Sequence, residues 1–516
     1  MRDHLVLYVN GARQVVRAPD AFLSLSDFLR RRLGLIGTKI VCSEGDCGAC
    51  SVLVGRPARD DMPTGAPRRS SPAPHRAATF KYVPVDSCIQ YLFQLDGAHV
   101  VTVEGLRPDG ALNAVQQAMI DCHGSQCGFC TPGFVMAMTG ALENCHAAPA
   151  AAPLTNGHAA PLPHQEIDWR RSLTGNLCRC TGYTPILDAA IEATQARPQP
   201  LGELYPAEPM LADLAPRAAE PIDVAHRSAV GVSCRVASPT TLAGALAFLA
   251  ANPDARIIAG GTDVAVRANK SGRLPPVLLD LNRVDELDFV RVADGVLTCG
   301  ARATWTSLLA ACRSACPEFA RILEVFGAPQ IRHVGTIGGN IANASPIADS
   351  LPLLYVAGAT LTLASSAGRR EAPITEFYRG YKLLDLQPGE LIAEVRIPLP
   401  AADEKLRLYK VSRRKDLDIS TFTAAIRLRL DASLVESAAI AFGGVGPTVL
   451  RAHRTEAYLV GRPFAEATFQ AAAQIAATEV TPITDVRGEA DYRRRLTENI
   501  LLKFYYQALE PQLAAS

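Results

Sequence analysis

The stretch CSEGDCGAC, residues 42–50, decides how the first part of this chain folds. It places Cys42, Cys47 and Cys50 at a C-x4-C-x2-C spacing, and Cys88 follows downstream as a fourth thiol. Four cysteine thiolates hold a 2Fe-2S cluster, and this spacing with a distant fourth cysteine is the plant-type arrangement. Zinc also takes four cysteines, but its usual ligand spacings differ, so the sequence predicts iron and sulfide here.

The residues before this stretch predict a hairpin followed by a helix. LVLYV and RQVV alternate polar and apolar residues around Asn10-Gly11, the dipeptide best suited to a two-residue turn. SLSDFLRRRLG then has helical apolar spacing, with Ser24 or Ser26 as its N-cap and Gly34 as its stop. A hairpin, a helix and a cysteine loop together predict a small ferredoxin-like domain.

A second group of four cysteines consists of Cys127 and Cys130 in CGFC and Cys178 and Cys180 in CRC. On the residues alone this pattern fits an iron–sulfur cluster, a zinc site or thiol redox chemistry. Disulfides are not expected, because C-x2-C spacing in a long chain from a reducing compartment favours metal binding. Small buried apolar side chains are expected at the remaining cysteines, which are Cys122, Cys145, Cys234, Cys299, Cys312 and Cys316.

Composition changes along the chain predict several domains. Residues 56–79 and 146–164 are rich in proline or alanine and read as loosely ordered inserts, and helical patterning starts at Asn113 between them. Six prolines within 196–222 predict an extended, semi-rigid linker. After it, apolar strand-like runs alternate with helical runs, which indicates an α+β texture.

Two glycine-rich turns offer backbone amides to a pyrophosphate. One is RIIAGGTDV, residues 256–264, and the other is GTIGGN, residues 335–340. Neither is a GxGxxG turn between a strand and a helix, so a Rossmann site is not predicted. Taken alone, each Gly-Gly pair indicates only a turn.

Composition excludes several classes of function. The 516 residues exceed what one hydrophobic core holds, and 52 basic against 51 acidic residues provide no field for nucleic acid or an anionic membrane. No signal peptide and no run of about 18 apolar residues is present, so we expect a soluble cytoplasmic protein. HExxH, GxSxG and Walker motifs are also missing, which assigns the chemistry to cofactors.

Several motifs closely resemble the xanthine dehydrogenase and molybdenum hydroxylase family. GTKIVCSEGDCGACSV, HGSQCGFCTPGFVMAM and TGNLCRCTGYTPIL are similar to its iron–sulfur domains, and IIAGGTDV, FGAPQIRHVGTIGGNIANASPIADS, YKVSRRKDLDIS and AFGGVGPTVLRAHRTE to its FAD domain. The resemblance implies a multidomain α+β fold. Its expected parts are a β-grasp plant-type ferredoxin domain (1–97), a four-helix-bundle 2Fe-2S domain (98–195), the linker (196–222), a PCMH-type, vanillyl-alcohol-oxidase-like FAD domain (223–400) and an α/β C-terminal domain of CO-dehydrogenase flavoprotein type (401–516).

The resemblance also implies a function. It implies an electron-transfer chain with two 2Fe-2S clusters and FAD, which passes electrons from a partner's molybdenum centre to NAD while hypoxanthine and xanthine are oxidised to urate. The partner implied is a molybdopterin-binding large subunit, in a heterodimer that pairs into a heterotetramer. Gln126 and Cys130 match the edge that approaches the partner's pterin. The expected order is the second cysteine set, the first set, FAD and NAD.

The eight cysteines above are the ligands that the resemblance implies, and it adds FAD contacts. These are Ile257, Ile258, Ala259, Gly260, Gly261, Thr262, Asp263, Val264, Phe326, Thr336, Gly339, Asn340, Asp349, Ile392 and Lys410. By residue type alone, Phe326 is ordinary core, Asp349 a helix cap and Lys410 a solvated charge. No residue of this chain is assigned to substrate chemistry, which is expected on the partner.

Three alternatives stay open. The same chain could serve a hydroxylase of an aldehyde or of an N-heterocycle such as nicotinate, which the partner's pocket would decide. A self-contained flavin and iron–sulfur reductase is a second alternative, but the CGFC and CRC domain has no role in it. A cysteine-rich zinc scaffold is the third, and a colourless, zinc-rich protein would favour it.

Overall fold

The structure is a computed structural model that describes residues 1–58, 79–107, 110–146, 167–227 and 233–509. The inserts predicted at 56–79 and 146–164 fall almost entirely outside the described residues, so both stay predictions. Within the described ranges, no helix has the length and apolar character that crossing a bilayer requires.

A five-stranded sheet with one helix packed on it forms the first domain, as the sequence predicts. The strand order is β2-β1-β5-β3-β4, with β1 parallel to β5 and the other neighbours antiparallel. The elements are β1 (Leu5–Val9), β2 (Ala12–Val16), α1 (Leu25–Arg31), β3 (Ser51–Pro57), β4 (Phe80–Asp86) and β5 (His99–Val101), with 3₁₀ turns at Asp20–Phe22, Ser87–Ile89, Leu92–Leu95 and Glu104–Leu106.

The predicted hairpin and helix cap are both confirmed. Asn10 and Gly11 join β1 to β2 with φ angles of +48° and +78°, the backbone that this tight hairpin turn requires. Ser24 caps α1 by accepting a hydrogen bond from the Asp27 N–H at 3.1 Å. Gly34 follows the helix with a φ of +70°. The cysteine loop of residues 42–50 therefore starts shortly after a well-defined helix end.

Four helices form the second domain, and they pack on the ferredoxin-like sheet. Phe134 and Ile186 of these helices share one buried cluster with Leu53 and Tyr82 of the sheet. The helices are α2 (Ala114–Asp121), α3 (Thr131–His146), α4 (Trp169–Ser172) and α5 (Thr184–Ala196). As predicted, the CRC motif lies between two helices, α4 and α5.

The prediction of an extended linker at 196–222 is wrong. The segment contains α6 (Leu201–Leu204), α7 (Ala207–Leu214) and a 3₁₀ turn at Ala215–Arg217. Pro200 and Pro206 are the N-caps of the two helices. Proline loses no hydrogen bond at a helix start, because the first N–H groups have no intrahelical partner. The buried side chains of Leu201 and Met210 join the helical-domain core, so this segment is docked rather than free.

The third domain has two lobes. The first lobe has strand order β6-β7-β9-β8, with β7, β9 and β8 mutually parallel. Ile258 and Leu278 of this lobe share a buried cluster with Leu92 and Cys88 of the ferredoxin-like domain. The elements are β6 (Ile222–Arg227), β7 (Ser233–Ser238), α8 (Leu242–Ala251), β8 (Arg256–Ile258), α9 (Val264–Ser271) and β9 (Val277–Asp280), then a 3₁₀ turn at Asp285–Leu287.

The second lobe is an antiparallel sheet, β10-β11-β16-β12-β13, with helices around it. Its core centres on Trp305, Phe319 and Phe377. The elements are β10 (Val290–Ala293), β11 (Val296–Gly300), α10 (Trp305–Ala315), α11 (Pro317–Glu324), α12 (Pro329–Arg332), α13 (Ile337–Asn343), α14 (Leu351–Ala357), β12 (Thr360–Ser365), β13 (Gly368–Pro373), α15 (Ile374–Phe377), β14 (Tyr378–Gly380), β15 (Leu383–Leu384) and β16 (Leu391–Pro398).

The last domain is a four-stranded antiparallel sheet covered by helices. Phe422 and Phe442 of the sheet pack against Phe469 and Phe504 of the two long helices. The elements are β17 (Glu404–Val411), β18 (Phe422–Asp431), β19 (Leu434–Gly443), β20 (Leu450–Arg451), α16 (His453–Leu459), α17 (Glu466–Glu479) and α18 (Ala490–Leu509). The strands and helices predicted after residue 402 are confirmed.

Candidate functional site

The structure brings the first cysteine set together. Cys42, Cys47 and Cys50 lie on the loop between α1 and β3, and Cys88 lies in the 3₁₀ turn after β4. Hydrogen bonds with the Cys47 and Cys88 thiols lower the pKa of Cys42, and the shared contacts raise the pKa of both partners. The Glu44 N–H also donates to Cys42 Sγ at 3.5 Å. The four thiols are free, and Cys50 and Cys88 are buried.

The second cysteine set also comes together, at the start of α3 and in the α4–α5 loop. Cys127 interacts with Cys180, since a hydrogen bond from the Phe129 N–H and then one from Cys180 lower the pKa of Cys127. Cys130 interacts with Cys178, and burial followed by this contact raises the pKa of Cys130 to about 12. Cys127 and Cys180 are exposed, in contrast to Cys50 and Cys88.

The thiol contacts of the second set fall into two pairs. In the second set Cys127 contacts Cys180, whereas Cys130 contacts Cys178. A zinc ion needs its ligands arranged around one point, and no three His, Cys, Asp or Glu side chains are so arranged in the part of the chain that the structure describes. A 2Fe-2S cluster has two irons that share four thiolates. The two thiol pairs of the second set therefore suit the two irons of such a cluster.

A buried carboxyl that no sequence motif indicates lies beside the first set. The Cys50 thiol faces Asp86 Oδ1 at 3.8 Å, and Ser51 Oγ donates to the same oxygen at 3.4 Å. Burial, followed by the nearby Cys42 charge, raises the pKa of Asp86 to about 7. Only the fold brings Asp86, which ends β4, against the cysteine loop.

One cavity of about 450 Å³ collects most of the predicted FAD contacts. Its volume is in the usual range for small-molecule and cofactor sites. The segment of residues 257–264, which runs from the end of β8 to the start of α9, forms one wall. The predicted residues that line the cavity are Ile257, Ile258, Ala259, Gly260, Gly261, Thr262, Asp263, Val264, Phe326, Thr336, Gly339, Asn340 and Ile392.

Glycine is required in the wall of this cavity for two physical reasons. Gly261 has a φ of +78°, a conformation that side chains disfavour. A Cβ on Gly260 would lie 2.0 Å from the Val334 carbonyl oxygen, so the two loops approach backbone to backbone. Backbone amides in a glycine-rich turn that lines a cavity are suited to an anionic pyrophosphate.

The cavity also contains an aromatic pair and basic side chains. The rings of Trp305 and Phe326 have centroids 4.4 Å apart and are tilted by 42°, which gives an apolar aromatic wall for a ring system. Arg302 and Lys382 also line the cavity, and Lys382 Nζ donates to Asn343 Oδ1 at 3.0 Å. Trp305, Arg302 and Lys382 belong to no motif in the sequence, because they lie on separate elements that only the fold brings together. Amides, an aromatic wall and positive charge suit a flavin dinucleotide.

Two of the predicted FAD residues do not line the cavity. Asp349 and Lys410 form a buried ion pair with each other, with an Nζ–Oδ2 distance of 2.6 Å. Ser420 Oγ donates to Asp349 Oδ1 at 2.6 Å. The adjacent Ser350 Oγ donates to Asn340 Oδ1, also at 2.6 Å. The pair therefore supports the cavity wall through Ser350 and Asn340, and Lys410 is not the solvated charge that its residue type alone suggested.

Family models match the chain in four consecutive parts. They are a 2Fe-2S iron-sulfur cluster binding domain (residues 7–73), a 2Fe-2S binding domain (102–191), the FAD binding domain in molybdopterin dehydrogenase (232–400) and the CO dehydrogenase flavoprotein C-terminal domain (407–508). A solved structure of carbon monoxide dehydrogenase from Hydrogenophaga pseudoflava is 30% identical with a TM-score of 0.50, covering 52% of this chain and 94% of that chain. The chain belongs to the molybdenum hydroxylase family.

Curated molybdenum hydroxylases match almost the whole chain. Xanthine dehydrogenase 1 of Arabidopsis thaliana is 30% identical over 575 residues, which cover 97% of this chain and 39% of the relative. Aldehyde oxidase 1 of Bos taurus is 29% identical and covers 98% of this chain and 39% of the relative. The chain thus spans about two fifths of the length of these relatives. It is the iron–sulfur and FAD electron-transfer region of a molybdenum hydroxylase.

Proposed function

We propose that this chain is the electron-transfer subunit of a xanthine dehydrogenase. When bound, its two 2Fe-2S clusters and FAD would carry electrons from a partner's molybdenum centre to NAD as hypoxanthine and xanthine become urate. The observation that carries the proposal is that one chain brings together two separate four-cysteine sets and a glycine-walled cavity. FAD is required because clusters move single electrons, whereas NAD accepts a hydride.

The two proposed sets of cluster ligands lie in different environments. Cys42, Cys47, Cys50 and Cys88 would hold the first cluster inside the chain, where the buried thiols exclude water. The cysteines of the 127–130 and 178–180 motifs would hold the second cluster near the surface. N–H groups such as that of Glu44, which points at Cys42 Sγ, stabilise thiolate and help set the reduction potential.

Different residues of the cavity are proposed to contact different parts of FAD. The amides of Gly260, Gly261 and Thr262 would bind the pyrophosphate, because glycine leaves them open. Phe326 would pack against the flavin ring with Trp305 behind it. Asp349 and Lys410 would act through the cavity wall rather than by touching FAD. The domain boundaries at 97, 195, 222 and 400 are part of the same proposal.

The molybdopterin-binding large subunit is the proposed partner, in a heterodimer that pairs into a heterotetramer. Support comes from the surface around the second cysteine set, where Phe129 is 48% and Ile120 is 56% exposed. A neighbouring groove of about 540 Å³ is lined by Leu112, Ile120 and Met119. Exposed apolar side chains beside an exposed redox site favour a protein contact. Gln126 lies on this same surface, next to Cys127.

The test is turnover by the chain purified from its native host together with its partner. Urate should form from xanthine with NAD as acceptor. Cys127→Ser should abolish urate formation but leave flavin-dependent oxidation of NADH by a dye intact, because the second set lies before FAD in the proposed order. Loss of the dye reaction with FAD still bound would overturn that order, and a wild-type complex without urate formation would overturn the xanthine assignment.

A second candidate function keeps the chain's role and changes the substrate. It is favoured by the similarity to aldehyde oxidase 1 of Bos taurus, at 29% identity beside 30% for the xanthine dehydrogenase. The partner would then hydroxylate an aldehyde or an N-heterocycle such as nicotinate. The same purified complex, assayed with an aldehyde and with nicotinate in place of xanthine, separates the two candidates.

A further inference from the structure

The loops that hold the two cysteine sets touch backbone to backbone. A Cβ on Gly48, between Cys47 and Cys50, would lie 2.2 Å from the Gly175 carbonyl oxygen. A Cβ on Gly133, at the start of α3, would lie 2.2 Å from the Gly48 carbonyl oxygen. No side chain larger than a hydrogen fits at either point. The two ligand loops are therefore as close as peptide groups can pack.

One backbone hydrogen bond joins the residue before a proposed second-set ligand to a proposed first-set ligand. The Leu177 N–H donates to the Cys47 carbonyl oxygen at 3.0 Å. Leu177 directly precedes Cys178 of the second set, and Cys47 belongs to the first set. Covalent bonds and this one hydrogen bond thus form a continuous route from one ligand set to the other.

The side chain of Asn176 holds this contact in place. Asn176 is 2% exposed, and its Nδ2 donates to the Gly48 carbonyl oxygen at 3.0 Å. Its Oδ1 accepts a hydrogen bond from Gln330 Nε2 at 2.9 Å. Gln330 is 1% exposed and also donates to Ser51 Oγ at 3.1 Å. One buried amide therefore connects the first-set loop, the second-set loop and the FAD domain.

We propose that Asn176 is a positioning residue that sets the electronic coupling between the two cysteine sets. The inference rests on the proposed function, because it needs a cluster on each set. One electron would leave the reduced cluster of the second set and reach the oxidised cluster of the first, with no bond formed or broken and no proton moved. Asn176 would act by holding the Gly48 carbonyl, and so the adjacent Cys47 peptide, against Leu177.

Gln330 extends the same role to the flavin side. It precedes Ile331, which lines the FAD cavity, and it donates both to Asn176 and to Ser51, the residue after Cys50. Gly175 leaves the space that the Gln330 amide occupies, since a Cβ there would lie 1.9 Å from Gln330 Oε1. The amide of Gln330 thus fixes Asn176 from the third domain.

The test uses the full chain with its partner and the variant Asn176→Asp, which keeps the shape but replaces the donor to Gly48 by an oxygen. Asn144→Asp is the matched control, because Asn144 is on α3 of the same domain and donates to Gly140 O at 2.7 Å, away from both loops. The readouts are the magnetic interaction between the two reduced clusters by electron paramagnetic resonance and the rate of internal electron equilibration after pulse radiolysis.

Asn176→Asp should lower the equilibration rate by about tenfold and change the magnetic interaction, as expected when a partner outside the ligand shell is lost. Asn144→Asp should match the wild type. Wild-type rate and interaction in an iron-replete Asn176→Asp protein would overturn the inference. If that variant loses iron, Gln330→Leu decides instead, because it removes the donor to Asn176 while every residue of both ligand loops stays unchanged. A wild type that lacks two 2Fe-2S signals would overturn the proposed function itself.

Discussion

Each cysteine set has four thiols, but the two sets differ in how deeply their thiols are buried. In the first set Cys50 and Cys88 are buried between the ferredoxin-like sheet and the first lobe of the FAD domain. In the second set Cys127 and Cys180 are exposed on the outer end of the helical domain. Burial suits a relay inside the chain, and exposure suits exchange with a partner. The contrast teaches that position in the fold, rather than ligand chemistry, divides the work between the sets.

Loss of a ligand should destabilise the two sets unequally. Cys88→Ser should cost at least about 5 kcal/mol of unfolding free energy, because ligand binding is coupled to folding and Cys88 is packed in a core shared by two domains. Cys180→Ser should remove the second cluster at a smaller cost. Iron content and visible absorption measure cluster loss, and urea unfolding measures stability, in both variants. Cys145→Ser is the control. Equal destabilisation by the two variants would contradict the comparison.

Two glycines with nearly equal φ should differ sharply when replaced by alanine. Gly48 has a φ of +67° and backbone contacts, whereas Gly182, in the second-set loop, has a φ of +70° and nothing within 4 Å of an added Cβ. Gly48→Ala should cost about 4 kcal/mol from strain and overlap. Gly182→Ala should cost only about 1 kcal/mol from strain. Denaturant unfolding of the two variants gives the difference, and similar costs would show that the loops do not pack as described.

Acid should weaken the domain of the first set. His99 is buried in the sheet, where the Gly11 N–H donates to its Nε2 at 3.1 Å. Burial lowers the pKa of His99 from 6.5 to about 4. The unfolded chain therefore takes up a proton before the folded one, and stability falls by about 3 kcal/mol between pH 6.5 and 4.

The melting temperature of the ferredoxin-like domain over this pH range tests the prediction. His99→Phe removes the titrating group, so its melting temperature should fall less than that of the wild type between pH 6.5 and 4. Parallel pH profiles for the two proteins would assign the acid sensitivity to other groups.

Substitution of a surface residue beside the exposed second set should leave stability almost unchanged but should weaken association with the partner. Phe129 is 48% exposed beside Cys127, so Phe129→Ser should alter unfolding free energy by no more than about 0.5 kcal/mol. Binding of the molybdopterin subunit should weaken by tenfold or more, since an exposed aromatic at an interface is a frequent anchor. Size-exclusion chromatography and titration calorimetry measure this binding. Val292→Ser, at a position 40% exposed on the FAD domain, is the control, and unchanged association of Phe129→Ser would place the interface elsewhere.

The sequence predicted local structure correctly where residues close together in the chain determine it. The Asn10-Gly11 turn, the Ser24 cap and the helices on both sides of CRC follow from short-range backbone chemistry and are all present. The extended linker at 196–222 was not correctly predicted. Proline spacing does exclude one long helix, but it does not show that short helices start at these prolines and dock their apolar faces on a neighbouring domain.

The sequence by itself indicated the closely spaced cysteines of each set, because spacing within a loop is a local property, and the order of its motifs indicated the order of the four domains. Only the tertiary structure decided that the first set is enclosed and the second exposed. It alone also brought Asp86, Trp305, Asn176 and Gln330 to their sites. These residues are far along the chain from the groups that they contact, and only tertiary packing, within and between domains, brings the side chains within hydrogen-bonding or van der Waals distance.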